Sequence, residues 1–157
     1  MAKAAPVELH PELPYREAAA RTVEVRAQEL FDQAEGVLDT SDIERVHDMR
    51  VATRRLRAAL EIFEPCFTPS EFKPVLRDVK RLADALGARR DPDVQLEEFQ
   101  RLEAALGDAE RPGLDVLADE LRAEQAAGNE RLTVALAETE SGDLRNRLAA
   151  LAAGARA

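Results

Sequence analysis

The sequence predicts an all-α protein, an antiparallel up-and-down bundle of about five to six helices. Three observations carry this. Ala, Leu, Glu and Arg dominate, aromatic residues make up 4% and β-branched residues are sparse. Apolar residues recur at steps of three and four, and no segment alternates with the strand period. Helix start and stop signals are clear, and the connections between them are short enough for antiparallel neighbours.

Taken in order, residues 1–14 are expected to be a flexible lead-in and residues 15–153 the bundle. The first helix should begin near Tyr15, after Pro11 and Pro14, and close at Gly36. Ser41-Asp42-Ile43-Glu44 has the spacing of a capping box and should open a second helix running to about Phe63. Thr68 followed by Pro69 should start a third, ending before Gly87. Asp91 and Pro92 read as the cap and first position of a fourth, ending near Gly107. Arg111-Pro112-Gly113 reads as a turn into a long fifth helix that Gly128 bends or interrupts, and Ser141 as the cap of a short last one.

At 157 residues the chain has the length of one domain with its own core. Its single cysteine, Cys66, excludes an intramolecular disulfide framework and suits a reducing compartment, with a buried small apolar role. No signal peptide and no stretch near the roughly 20 apolar residues of a membrane span is present, so a soluble cytoplasmic protein is expected. Net charge is −9, but its distribution is polar. From His47 to Arg90 there are ten basic and six acidic residues, a local excess of +4 that leaves −13 on the rest.

The second predicted helix carries the most informative pattern. His47, Arg50, Arg54 and Arg57 step by three, four and three, within an arc of roughly 80° on one face. Val46, Met49, Thr53, Leu56, Leu60 and Phe63 share the spacing one position away, so the cationic stripe runs along the edge of the apolar one. No acid lies within the stripe itself. Four potential cations stacked over about 15 Å repel one another, and an anion would relieve that cost. Guanidinium groups offer paired donors that match phosphate oxygens. On the third helix Lys73, Arg77 and Lys80 step by four and three, and could form a second wall. Solvated arginines paired a turn away are the plain alternative for any one of these residues. His47 could equally be a packing residue at the end of the apolar stripe.

With these residues in view, the chain resembles the CHAD family, named for a conserved histidine in an α-helical domain. VHDMRVATRRLRAALEIF is similar to the family's His-x-x-Arg-x-x-x-Arg-x-x-Arg signature through His47, Arg50, Arg54 and Arg57. LRDVKRLADALGARRDPDV is similar to its basic helix and Leu-Gly-x-x-Arg-Asp segment through Lys80, Leu86, Gly87, Arg90 and Asp91. The resemblance implies binding of inorganic polyphosphate and association with polyphosphate granules, with His47, Arg50, Arg54, Arg57, Lys80 and Arg90 as phosphate ligands. Asp91 then fits a helix cap, and Asp93 a structural role. The family usually has two such halves. The motifs here match the first half only, which implies that two copies pair as a homodimer or that the chain is a minimal form.

Other functions leave weaker traces. Phosphoanhydride hydrolysis would need metal-holding acids beside the stripe, and only Asp48, Asp84, Asp91 and Asp93 are near. No cofactor or metal is expected, and no enzymatic activity. Nucleic acid is disfavoured by the overall acidity, the single Tyr and the absence of Trp. A helical protein-interaction module with no anionic ligand is the remaining alternative.

Overall fold

Helix-forming residues interrupted by only a few true breakers give long helices. The computed structural model describes residues 2–157, and those residues form α1 (Tyr15–Asp32), α2 (Ile43–Ile62), α3 (Pro69–Ala105), α4 (Arg111–Ser141) and α5 (Leu144–Arg156). A single 3-10 turn, Glu64–Cys66, joins α2 to α3. The all-α bundle is as expected, and with five helices it lies at the lower end of the expected number.

Several boundaries differ from those that local signals suggest. α1 stops at Asp32, and Gly36 lies beyond it in the loop, where its φ of 71° suits a residue without a Cβ. The capping box does not form: Ser41 donates to Asp39 Oδ1 from both its hydroxyl (2.7 Å) and its amide (2.9 Å), and Asp42 takes the N-cap position. Thr68 and Pro69 do start α3. Ser141 does not cap the last helix; α4 runs through it, and Asp143, at φ 53°, precedes α5.

The largest correction concerns the expected third and fourth helices. They are one helix of 37 residues, α3, with Gly87 and Pro92 in its interior and Asp91 mid-helix rather than a cap. An interior proline removes a backbone hydrogen bond and costs about 3 kcal/mol. Burial of Pro92 and of Leu86, Arg89, Asp93 and Leu96 on either side of it holds the helix in one piece. α4 likewise runs unbroken past Gly128.

The pairs are antiparallel. Asp93 meets Gln125 and Arg89 meets Asn129 across α3 and α4, Lys80 meets Glu61 across α3 and α2, and Arg156 at the end of α5 meets Glu17 in the first turn of α1. One apolar core, including Val23, Leu30, Leu56, Leu60, Val79, Leu132 and Leu148, binds all five helices. Each such fully buried side chain contributes about 1.5–3 kcal/mol. Cys66 is buried, as its small apolar role requires. Tyr15 and Phe63 meet at 5.2 Å between ring centroids, tying the start of α1 to the end of α2.

No buried residue of this core lies between Leu86 and Leu132. The outer parts of α3 and α4 therefore form a two-helix arm, seamed by Leu96, Leu114 and Ala118. Residues 2–14 contain no helix and lie against α1 and α2: Ala2 N–H donates to Asp48 Oδ1 at 2.6 Å, and Arg26 donates to the Ala5 carbonyl at 2.9 Å.

Candidate functional site

The i, i+4, i+7 spacing of Arg50, Arg54 and Arg57 places all three on the flank of α2 that faces α3. Antiparallel packing of those helices leaves a cleft of about 370 Å³ between them. Its α2 wall is Arg50, Arg54 and Arg57; its α3 wall is Ala83, Asp84, Gly87, Ala88 and Asp91. Gly87, read from the sequence as a helix end, instead opens the α3 wall: apart from its own helix's neighbouring backbone, none of the described residues has an atom within 4 Å of where its Cβ would be.

The arginines are not equivalent. Arg57 Nε donates to Glu61 Oε1 at 3.1 Å, and Lys80 Nζ lies 3.5 Å from that same oxygen. The hydrogen bond from Arg57 and the charges of Arg57 and Lys80 hold the Glu61 carboxyl below the usual carboxylate range. Glu61 thus offsets part of a stripe that looks free of acids when only its own positions are counted. Arg50 and Arg54 are exposed, and neither makes a hydrogen bond or ion pair among the described residues. Two unneutralised guanidinium groups one turn apart form the anion-attracting part of the cleft.

The remaining predicted ligands are placed less uniformly. Lys80 joins the cleft's end through Glu61, and Lys73 stands exposed two turns before it on α3. Arg77 lines a different cleft, with Arg81, Glu138 and Thr139, and its nearest acid is Asp78 at 3.7 Å. Arg90 is half-buried outside the cleft lining, with Nη1 buried and without a hydrogen-bond partner.

His47 is half-buried and also outside the lining. Its ring, with the carboxylates of Glu44 and Asp48, offers three ligand atoms within 4.8 Å of one another, a grouping that could hold a metal ion. These residues lie in the first turns of α2, where the helix dipole favours anions over cations, and Asp48 already accepts from Ala2.

Asp84 and Asp91, read from the sequence only as acids near the stripe and, for Asp91, as a helix cap, are groove residues. Both line the wall opposite the arginines, and the cleft is amphoteric rather than purely basic. A signal was available: 80, 84, 87 and 91 share one helical face. Asp93, taken as structural, is buried and pairs with Arg89.

Fold and cleft define a class: an all-α bundle presenting arginines from one helix across a groove from its antiparallel neighbour. The chain belongs to the CHAD domain family, whose model matches residues 21–157. It is also similar to the uncharacterized protein Rv2226 of Mycobacterium tuberculosis (strain ATCC 25618 / H37Rv), with 38% identity over 76 residues. That match covers 48% of this chain and 13% of the relative, so the chain spans a small part of the longer protein. Among the described residues, no helix is long and apolar enough to cross a membrane.

Proposed function

We propose that the α2–α3 cleft binds inorganic polyphosphate and that the chain acts as a non-catalytic holder of it, at polyphosphate granules where these form. The observation that carries this is the pair Arg50 and Arg54, lining a groove and in no ion pair among the described residues, although Asp84 and Asp91 line the opposite wall. Phosphates spaced along a chain would meet Arg50, Arg54 and Arg57 turn by turn, then Lys80 and Lys73 on the other wall. Membership of the CHAD family supports the same ligand class. Holding is favoured over hydrolysis because Asp84 and Asp91 are two helical turns apart, about 10 Å at 1.5 Å per residue. That is too far for both to hold one metal ion.

The test is titration with long-chain polyphosphate near physiological salt, with pyrophosphate and duplex DNA of equal charge alongside. In Arg50→Gln/Arg54→Gln no intramolecular bond is lost, so its fold should be intact by circular dichroism. Polyphosphate binding that weakens at least tenfold in this variant, and falls as salt rises, supports the reading. Equal binding by the variant, or by DNA, removes it.

A second reading, a protein-interaction module, is favoured by the arm, where Leu102, Leu106, Val116 and Leu117 are all exposed. A second copy of the chain would cover such residues if the chain pairs as a homodimer. Sedimentation equilibrium of the purified chain decides that pairing, and an Arg50→Gln/Arg54→Gln variant that still binds its protein partner would favour this reading.

A further inference from the structure

A second cavity, of about 430 Å³, opens where the ends of α1 and α4 meet α5, and it shares no lining residue with the α2–α3 cleft. Its floor is the core itself: Met49, Leu82 and Leu144 are at most 1% exposed. Phe31 and Leu136 form its walls. The volume falls within the range of small-molecule sites, and the partly exposed Phe31, Ala34 and Leu136 are the apolar surface that a ligand would remove from water.

The rim carries charge. Asp143 is committed within the protein: both its carboxylate oxygens accept from Asn146 Nδ2, at 2.9 and 3.1 Å. Glu140 and Arg145 are not committed, since neither side chain forms a hydrogen bond or ion pair among the described residues. The Arg145 guanidinium lies over the Phe31 ring, 4.2 Å from its centroid. That contact fixes the group at the cavity mouth while leaving its edge donors open to a carboxylate.

An unpaired cation and an unpaired anion on the rim of one apolar cavity complement a zwitterion with an apolar tail. A ligand with only a carboxylate would meet Glu140 unpaired, and one with only an ammonium would meet Arg145. A ligand with neither would gain nothing from the two rim charges, which stay in solvent.

We propose that this cavity binds a free α-amino acid with a large apolar side chain. Its carboxylate pairs with Arg145, its ammonium with Glu140, and its side chain packs on the partly exposed Phe31, Ala34 and Leu136. Glycine fits the rim but leaves the floor unfilled. The site is independent of the anion cleft, so it stands or falls without reference to polyphosphate.

The experiment titrates the full chain with L-phenylalanine and L-leucine, following the methyl resonances of Leu136 and Leu144 by NMR. 3-Phenylpropanoate, 2-phenylethylamine and glycine are run in parallel. The expected result is saturable binding of phenylalanine or leucine, severalfold tighter than that of the three analogues. Arg145→Met and Glu140→Gln, both at exposed positions and checked for unchanged helicity, should each weaken it severalfold, with Arg145→Lys intermediate. No saturation with either amino acid, equal binding by a singly charged analogue, or unchanged binding in both rim variants overturns the proposal.

Discussion

Gly128 of α4 passes so close to Ala88 of α3 that a Cβ on it would lie 2.7 Å from the Ala88 carbonyl oxygen. That carbonyl is the one left without an i+4 donor by Pro92. A proline that frees a carbonyl on one helix thus faces a glycine that lets the other backbone approach it. Gly128→Ala should destabilise the protein by about 1–3 kcal/mol, because both contacting groups are backbone and cannot swing aside. Gly87→Ala should do the opposite, since its space is open and alanine favours the helix by about 1 kcal/mol. Urea denaturation of the two variants checks both signs.

Arg89 and Asp93 form a fully buried pair in the seam between α3 and α4. Gln125 Nε2 donates to Asp93 Oδ1 at 2.7 Å, and Arg89 Nε donates to Asn129 Oδ1 at 3.2 Å. Arg89 Nη1 and Nη2 and Asp93 Oδ2 have no directed hydrogen-bond partner. Asp93→Asn should cost about 3–5 kcal/mol by leaving a buried charge uncompensated. The double variant Arg89→Met/Asp93→Leu should recover most of that loss, measured by the same denaturation.

The acids of the α2–α3 cleft oppose the proposed ligand. Glu61 occupies Arg57 and Lys80, and Asp84 faces the arginines across the groove. Glu61→Gln and Asp84→Asn should each tighten polyphosphate binding severalfold, since an exposed charge interaction is worth about 0.2–1 kcal/mol. Isothermal titration at fixed salt tests this; weaker binding in both variants would place the anion elsewhere.

The clamp between α5 and α1 makes stability depend on acid pH. Hydrogen bonds from Arg156 and Arg21 hold the Glu17 carboxyl at about 2, against an ordinary value of 4.5. Arg156 also donates to Glu24 and is itself shifted upward by these acids. A lowered folded-state value means the stabilisation is present above pH 4.5 and lost as pH falls towards 2. The melting temperature of the wild type should therefore fall towards that of Glu17→Gln over this interval, and the difference between them should be constant above it.

Much of the fold was legible because it rests on local chemistry. Of the apolar stripe read on α2, Val46, Met49, Thr53, Leu56 and Leu60 are buried, while Phe63, just past the helix end, is half-buried against the core. The start of α3 at Thr68 and Pro69 follows from capping chemistry, the burial of Cys66 from its small apolar side chain, and the common face of Arg50, Arg54 and Arg57 from their spacing. Helix ends governed by side-chain competition were less legible: Ser41 bonds back to Asp39 instead of capping α2.

By itself, then, the sequence determined the helical class, the face of α2 on which the arginines lie, and membership of a family that two motifs already suggested. Tertiary packing decided the rest. It kept α3 continuous through Gly87 and Pro92, because burying Leu86, Pro92 and Leu96 offsets the local cost of a proline. It also selected which cations share a groove, bringing Lys80 to Arg57 through Glu61 and sending Arg77 to another cleft. Spacing fixes a side chain's angle on its own helix, but only the rotation of one helix against the next fixes what that side chain faces.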